Sequence, residues 1–101
     1  MKVTLEQIGI AACLVLKEMT GKQWKHQSFS DRPGEDNAIM IDSEESVAVL
    51  FYWEDTGLWT AQMYGGEEKG TPNPSLREAY QDLKKRIEMR IVKLNTILSS
   101  L

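Results

Sequence analysis

Hydrophobic and polar positions follow two different periods along this chain. Leu5, Ile8, Ala12, Val15, Leu16 and Met19 recur every three or four residues, the spacing of one helix face. Thr4-Leu5-Glu6-Gln7 is a capping box, Val3 and Ile8 are placed as a hydrophobic staple, and Gly21 is a stop signal, so a helix is predicted from about Leu5 to Gly21. Ile10 and Leu14, four apart, fall nearly opposite that stripe. A second apolar face needs a second partner. The expected one is another helix lying over the first, and the alternative is a subunit interface.

The period then drops to two. Val47 to Tyr64 is rich in β-branched and aromatic residues and reads as a hairpin closed by a three-residue loop, Asp55-Thr56-Gly57, with Gly57 at positive φ. In that register Glu54 faces Leu58, Trp53 faces Trp59, Phe51 faces Ala61 and Val49 faces Met63, which makes one side wholly apolar. The other side carries Ala48, Leu50, Tyr52, Leu58, Thr60, Gln62 and Tyr64. Asn37 to Asp42 is a further strand. A tight turn at Ser43-Glu44-Glu45 would pair Ile41 with Val47 and Ile39 with Val49, adding both isoleucines to the core side and leaving Ala38 and Met40 on the other. Trp24 to Phe29 reads as an edge strand, followed by a turn at Asp31-Arg32-Pro33-Gly34.

After Gly65-Gly66 and Pro72-Asn73-Pro74 the helical period returns. Asn73 or Ser75 can cap, with Glu78 completing a box from Ser75, and Leu76, Tyr80, Leu83, Ile87, Ile91, Leu94, Leu98 and Leu101 form one stripe. A helix from Ser75 to Leu101 is about 40 Å long and a seven-residue strand about 23 Å, so the helix end must overhang the sheet. It would meet the first helix or the same helix of another subunit.

The predicted fold is therefore α+β, a single domain over 1–101 with the order α-β-β-β(-β)-α, an antiparallel meander sheet and both helices packed on one face. That face is Val47, Val49, Phe51, Trp53, Trp59, Ala61 and Met63. The order resembles that of double-stranded-RNA-binding domains. Their basic cluster opening the final helix is missing, since that place reads Asn73-Pro74-Ser75-Leu76-Arg77-Glu78 after Glu67 and Glu68. The run Ser75 to Leu83 is similar to the helix of HicB-type antitoxins, and neither resemblance carries a function over.

Charge refines the picture. The net charge of -3 disfavours nonspecific nucleic-acid binding by the whole chain. It is unevenly spread: ten carboxylates against Arg32 alone between Asp31 and Glu68, then six basic residues against three acidic ones from Ser75 onward. One cysteine excludes an intramolecular disulfide and suits a reducing compartment, and no apolar run reaches the ~18 residues of a membrane span, so a cytoplasmic location is expected. His26 is the only histidine, and Cys13 sits mid-helix among apolar neighbours, so no nucleophile-base pair is expected. No metal-ligand spacing or phosphate-binding glycine motif occurs. Asp42, Glu44, Glu45, Glu67 and Glu68 gather at one end of the meander but read as solvated turn charges rather than a divalent-ion site. No enzyme activity and no cofactor are expected.

The expected function is protein binding, as an adaptor or an inhibitor encoded by a mobile element such as a phage. The site would be Met40, Leu50, Tyr52, Leu58 and Tyr64, rimmed by Glu44, Glu45, Glu67 and Glu68 against a basic partner. The alternative is nucleic-acid binding through Arg86, Arg90 and Lys93 on one edge of the last helix, although such side chains more commonly lay their stems along a core seam. A homodimer is expected from the apolar surface at Ile10, Leu14, Met89, Val92 and the overhanging end from Leu98 to Leu101.

Overall fold

The structure, a computed structural model, describes residues 3–30, 37–45, 48–63 and 70–101. Helix α1 (Leu5–Thr20) starts at the capping box: Thr4 Oγ1 accepts from the Gln7 N–H at 3.1 Å and Gln7 Oε1 from the Thr4 N–H at 2.9 Å. It stops at Gly21, whose left-handed φ of 72° directs its N–H to the Lys17 carbonyl. Val3 is 62 % exposed and so gives the expected staple little cover.

Four strands follow, β1 (Trp24–Phe29), β2 (Ala38–Ser43), β3 (Ala48–Trp53) and β4 (Leu58–Met63), joined antiparallel in the order β1-β2-β3-β4. Helix α2 (Leu76–Ser100) completes the α+β meander that the hydrophobic periods predict. Both helices lie on one side of the sheet, α1 against β1 and β2, α2 against β4. Their buried residues Ala12, Leu16, Leu76, Ala79 and Leu83 share a single core with Ile39, Ile41, Ala48, Leu50, Trp59 and Ala61. Because the helices sit over different strands, α1 is not wedged beneath α2 as expected, and Ile10 and Leu14 remain 48 % and 65 % exposed.

The β3–β4 turn has four residues rather than three. The Gly57 N–H reaches the Trp53 carbonyl at 2.8 Å across Glu54-Asp55-Thr56, Gly57 takes a φ of 69°, and Thr56 Oγ1 accepts from the Leu58 N–H. Trp53 consequently faces Leu58, Tyr52 faces Trp59 and Leu50 faces Ala61, not the expected Trp53–Trp59, Phe51–Ala61 and Val49–Met63 pairs. At the β2–β3 turn the shift is three residues, so Ile41 faces Leu50 and Ile39 faces Tyr52 in place of Val47 and Val49. Both shifts are odd. Each turns β3 over relative to its neighbour, and together they leave β2 and β4 on their expected sides. Ala48, Leu50 and Tyr52 therefore meet the helices, while Val49, Phe51 and Trp53 face away; Val47 lies outside the described residues.

At the start of α2, Ser75 Oγ accepts from the Glu78 N–H at 3.2 Å. Asn73 exchanges two backbone hydrogen bonds of 2.8 Å with Trp59, a short pairing on the β4 edge that the sequence does not signal. Leu76, Ala79 and Leu83 are buried, Ile87 is partly so, and every residue from Glu88 onward is exposed. The overhang is as expected, about 20 Å for residues 88–101. It extends the molecule to 57 Å in its longest dimension, and its exposure shows that α1 does not cover it.

Candidate functional site

The sheet side turned away from the helices carries Lys25, Gln27 and Phe29 from β1, Ala38, Met40 and Asp42 from β2, Val49, Phe51 and Trp53 from β3, and Leu58, Thr60 and Gln62 from β4. Phe29, Phe51 and Trp53 converge. Phe29 lies 5.2 Å from Phe51 and 6.0 Å from Trp53, ring centre to ring centre, and Phe51 stacks on Trp53 at 5.5 Å and 26°. The register and a small side chain bring rings from β1 and β3 together over the intervening β2. Ala38 is the direct cross-strand neighbour of both Phe29 and Trp53, and its methyl is too small to separate them. It is fully buried between them. On the other flank Trp53 Nε1 donates to Thr60 Oγ1 at 3.1 Å, which fixes the indole orientation.

All three rings are half-buried, as are Met40 and Leu58 beside them, and among the described elements none packs over them. The opposite end of this side is closed: Val49 and Asp42 are both 4 % exposed, and Asp42 Oδ1 is buried without a hydrogen-bond partner among the described residues. The open part is thus an aromatic patch at one end of the sheet. Exposed carboxylates stand at both turns of the strands that carry it, Glu44 and Glu45 at one and Glu54 and Asp55 at the other. Glu45 is paired with Lys22 at 2.8 Å, which raises the lysine pKa mainly through that hydrogen bond.

Of the residues expected to bind a partner, Met40 and Leu58 are on the open side and Glu44 and Glu45 are exposed at the turn. Leu50 and Tyr52 are not: Leu50 is fully buried under the helices, and the Tyr52 ring lies 5.0 Å from Trp59 on the core side. The odd register shifts moved them. Tyr64, Glu67 and Glu68 lie outside the described residues. Phe29, Phe51 and Trp53 were missed because β3 is apolar on both sides, so its own pattern does not choose a face. The available signal was Glu54-Asp55-Thr56-Gly57, which also satisfies a four-residue turn.

Arg86 is not a free cation: its Nε is 3.0 Å from Asp82 Oδ2, one turn earlier, and its Nη2 donates to the Ala61 carbonyl on β4. Arg90 and Lys93 are exposed beside it, along a shallow groove of ≈ 570 Å³ that also takes in Met89, Leu94 and Ile97.

A smaller cleft of ≈ 320 Å³ lies between the end of α1 and α2, lined by Trp24, Tyr80, Met19 and the Lys22–Glu45 pair. Its polar groups already serve each other, Trp24 Nε1 donating to Thr20 Oγ1, so none converges on a ligand position. His26 lies beneath Gly9 of α1, where an added Cβ would come within 2.6 Å of its Nδ1. Burial pushes the Cys13 thiol pKa up, which reduces its thiolate and hence its nucleophilicity. Among the described residues no three metal-ligating side chains come together. No described helix is long and apolar enough to cross a membrane. Comparison with known proteins finds no matching family, no similar curated protein and no similar solved structure.

Proposed function

We propose that this chain is a non-enzymatic protein-binding module whose anchor is the Phe29–Phe51–Trp53 cluster, with Met40 and Leu58 at its margin. The observation that carries this reading is the cluster itself: three large rings held together on the sheet side that the helices leave uncovered. Rigid aromatic groups on an open face supply contact area at little entropic cost and are the typical energetic centre of an interface. A basic partner fits, because Glu54 and Asp55 stand exposed at the turn beside the patch. An adaptor or inhibitor carried by a mobile element such as a phage suits this size and the absence of converging catalytic groups among the described residues. A cytoplasmic site of action suits the single thiol.

The test is affinity capture from the native host, identification of the retained protein and titration of that purified protein. Trp53→Ala and Phe51→Ala should each weaken binding by about 30-fold or more, the loss of about 2 kcal/mol expected for an anchor, with circular dichroism unchanged. Glu54→Lys with Asp55→Lys should slow association and remove its salt dependence while affecting dissociation little. Unchanged binding by both aromatic variants overturns the proposal. A low-salt gel shift of nucleic acid that is lost in Arg90→Ala with Lys93→Ala would replace it by the basic edge of α2.

A further inference from the structure

We propose that the overhanging half of α2 pairs with the same segment of a second copy of this chain, the two helices running antiparallel. Ile87, Ile91, Leu94, Leu98 and Leu101 alternate four and three apart, the seam spacing of a two-helix coiled coil. This seam continues the buried stripe of Leu76, Leu83 and Ile87 past the end of the sheet, so it points to the level that the sheet occupies lower down. Nothing in the described chain reaches that level beside the overhang. Ile91, Leu94, Leu98 and Leu101 are left 52 %, 56 %, 69 % and 97 % exposed.

The seam spacing suits a second copy of the same segment, and charge selects its direction. Within the overhang Arg90 and Lys93 outweigh Glu88 in the first half, whereas Leu94 to Leu101 contains no charged side chain. Parallel pairing would align the basic halves of two copies and force both sheets to the same end. Antiparallel pairing sets the uncharged half of each helix beside the more basic half of the other and places the two sheets at opposite ends. Ile91 then packs on Leu101 of the second copy and Leu94 on its Leu98, with the same contacts repeated by the two-fold axis, a closed isologous interface. The contact removes on the order of 1,000 Å² from water in total, the lower end for specific interfaces, so the dimer should form reversibly at micromolar concentration. Met89 and Val92 remain outside it.

Sedimentation equilibrium of the full chain from about 5 to 500 µM tests this. The expected result is a mass rising from the 11.5 kDa of the chain towards twice that value, while Leu94→Asp stays at 11.5 kDa throughout. Leu94 is exposed in the single chain, so this variant should keep the wild-type circular dichroism and, at dilutions where the wild type is monomeric, its melting temperature. A wild-type mass of 11.5 kDa at the highest concentration, or dimerisation of Leu94→Asp like the wild type, overturns the proposal. Direction is read in a Cys13→Ala background by oxidising a mixture of Ile91→Cys and Leu101→Cys chains. Disulfides joining 91 to 101 are expected; disulfides joining 91 to 91 would overturn the antiparallel arrangement.

Discussion

Replacing Trp59 and Trp53 separately by alanine probes the hairpin register directly. Trp59 is 9 % exposed, packs on Tyr52 and belongs to the core shared with both helices, so its removal leaves an enclosed void. Such truncations cost about 3 to 5 kcal/mol. Trp53 is half-buried on the open side, where solvent can enter the space it leaves. Its loss removes one side-chain hydrogen bond, to Thr60, and the ring contacts with Phe51 and Phe29. Together these come to about 1 to 2 kcal/mol. The two variants should therefore differ by about 2 kcal/mol in urea melts, and by roughly 8 to 16 °C in melting temperature for a chain of this size. In a three-residue-loop register the two tryptophans would face each other on the same side and would cost nearly the same. Equal losses, or a larger loss for Trp53→Ala, would refute the register set by the four-residue turn.

Two further substitutions test local packing. Gly9→Ala replaces a poor helix former by the best one, a gain of about 1 kcal/mol on propensity alone, yet its Cβ would approach His26 Nδ1 at 2.6 Å and Cγ at 2.8 Å. A net loss of about 1 to 2 kcal/mol is expected, recovered in part by the double variant with His26→Ala; a rise in melting temperature for Gly9→Ala alone would contradict the α1–β1 contact. Asp42→Val removes a buried carboxylate oxygen that has no partner among the described residues and puts a β-branched residue beside Val49. Stability should increase by about 1 kcal/mol or more, and a fall in the urea midpoint would show that the carboxylate is satisfied in solution.

Much of the fold was legible in the sequence because local signals agreed with the periods. The capping box at Thr4, the stop at Gly21, the strands from Ala38 onward and the Ser75 cap each act within one turn of helix or one hairpin, so tertiary context could not displace them. The overhang of α2 followed from arithmetic alone, since a helix of 25 residues cannot be covered by strands of six. The binding face was not legible in the same way. β3 reads Ala-Val-Leu-Phe-Tyr-Trp, apolar at odd and even positions alike, so its hydrophobic pattern specifies a strand without specifying which side is inside.

Only the tertiary structure decided that side. The two turn lengths set the register, and the register gives Leu50 a place between Ile41 and Ala61 under the helices. Phe51 and Trp53, rather than Leu50 and Tyr52, are thereby left on the open face. The meeting of Phe29 with those two rings likewise depends on a residue distant from both in sequence, Ala38, being the small one between them. Cross-strand neighbours are a property of register, and a chain that is apolar on both sides of a strand leaves register to its turns.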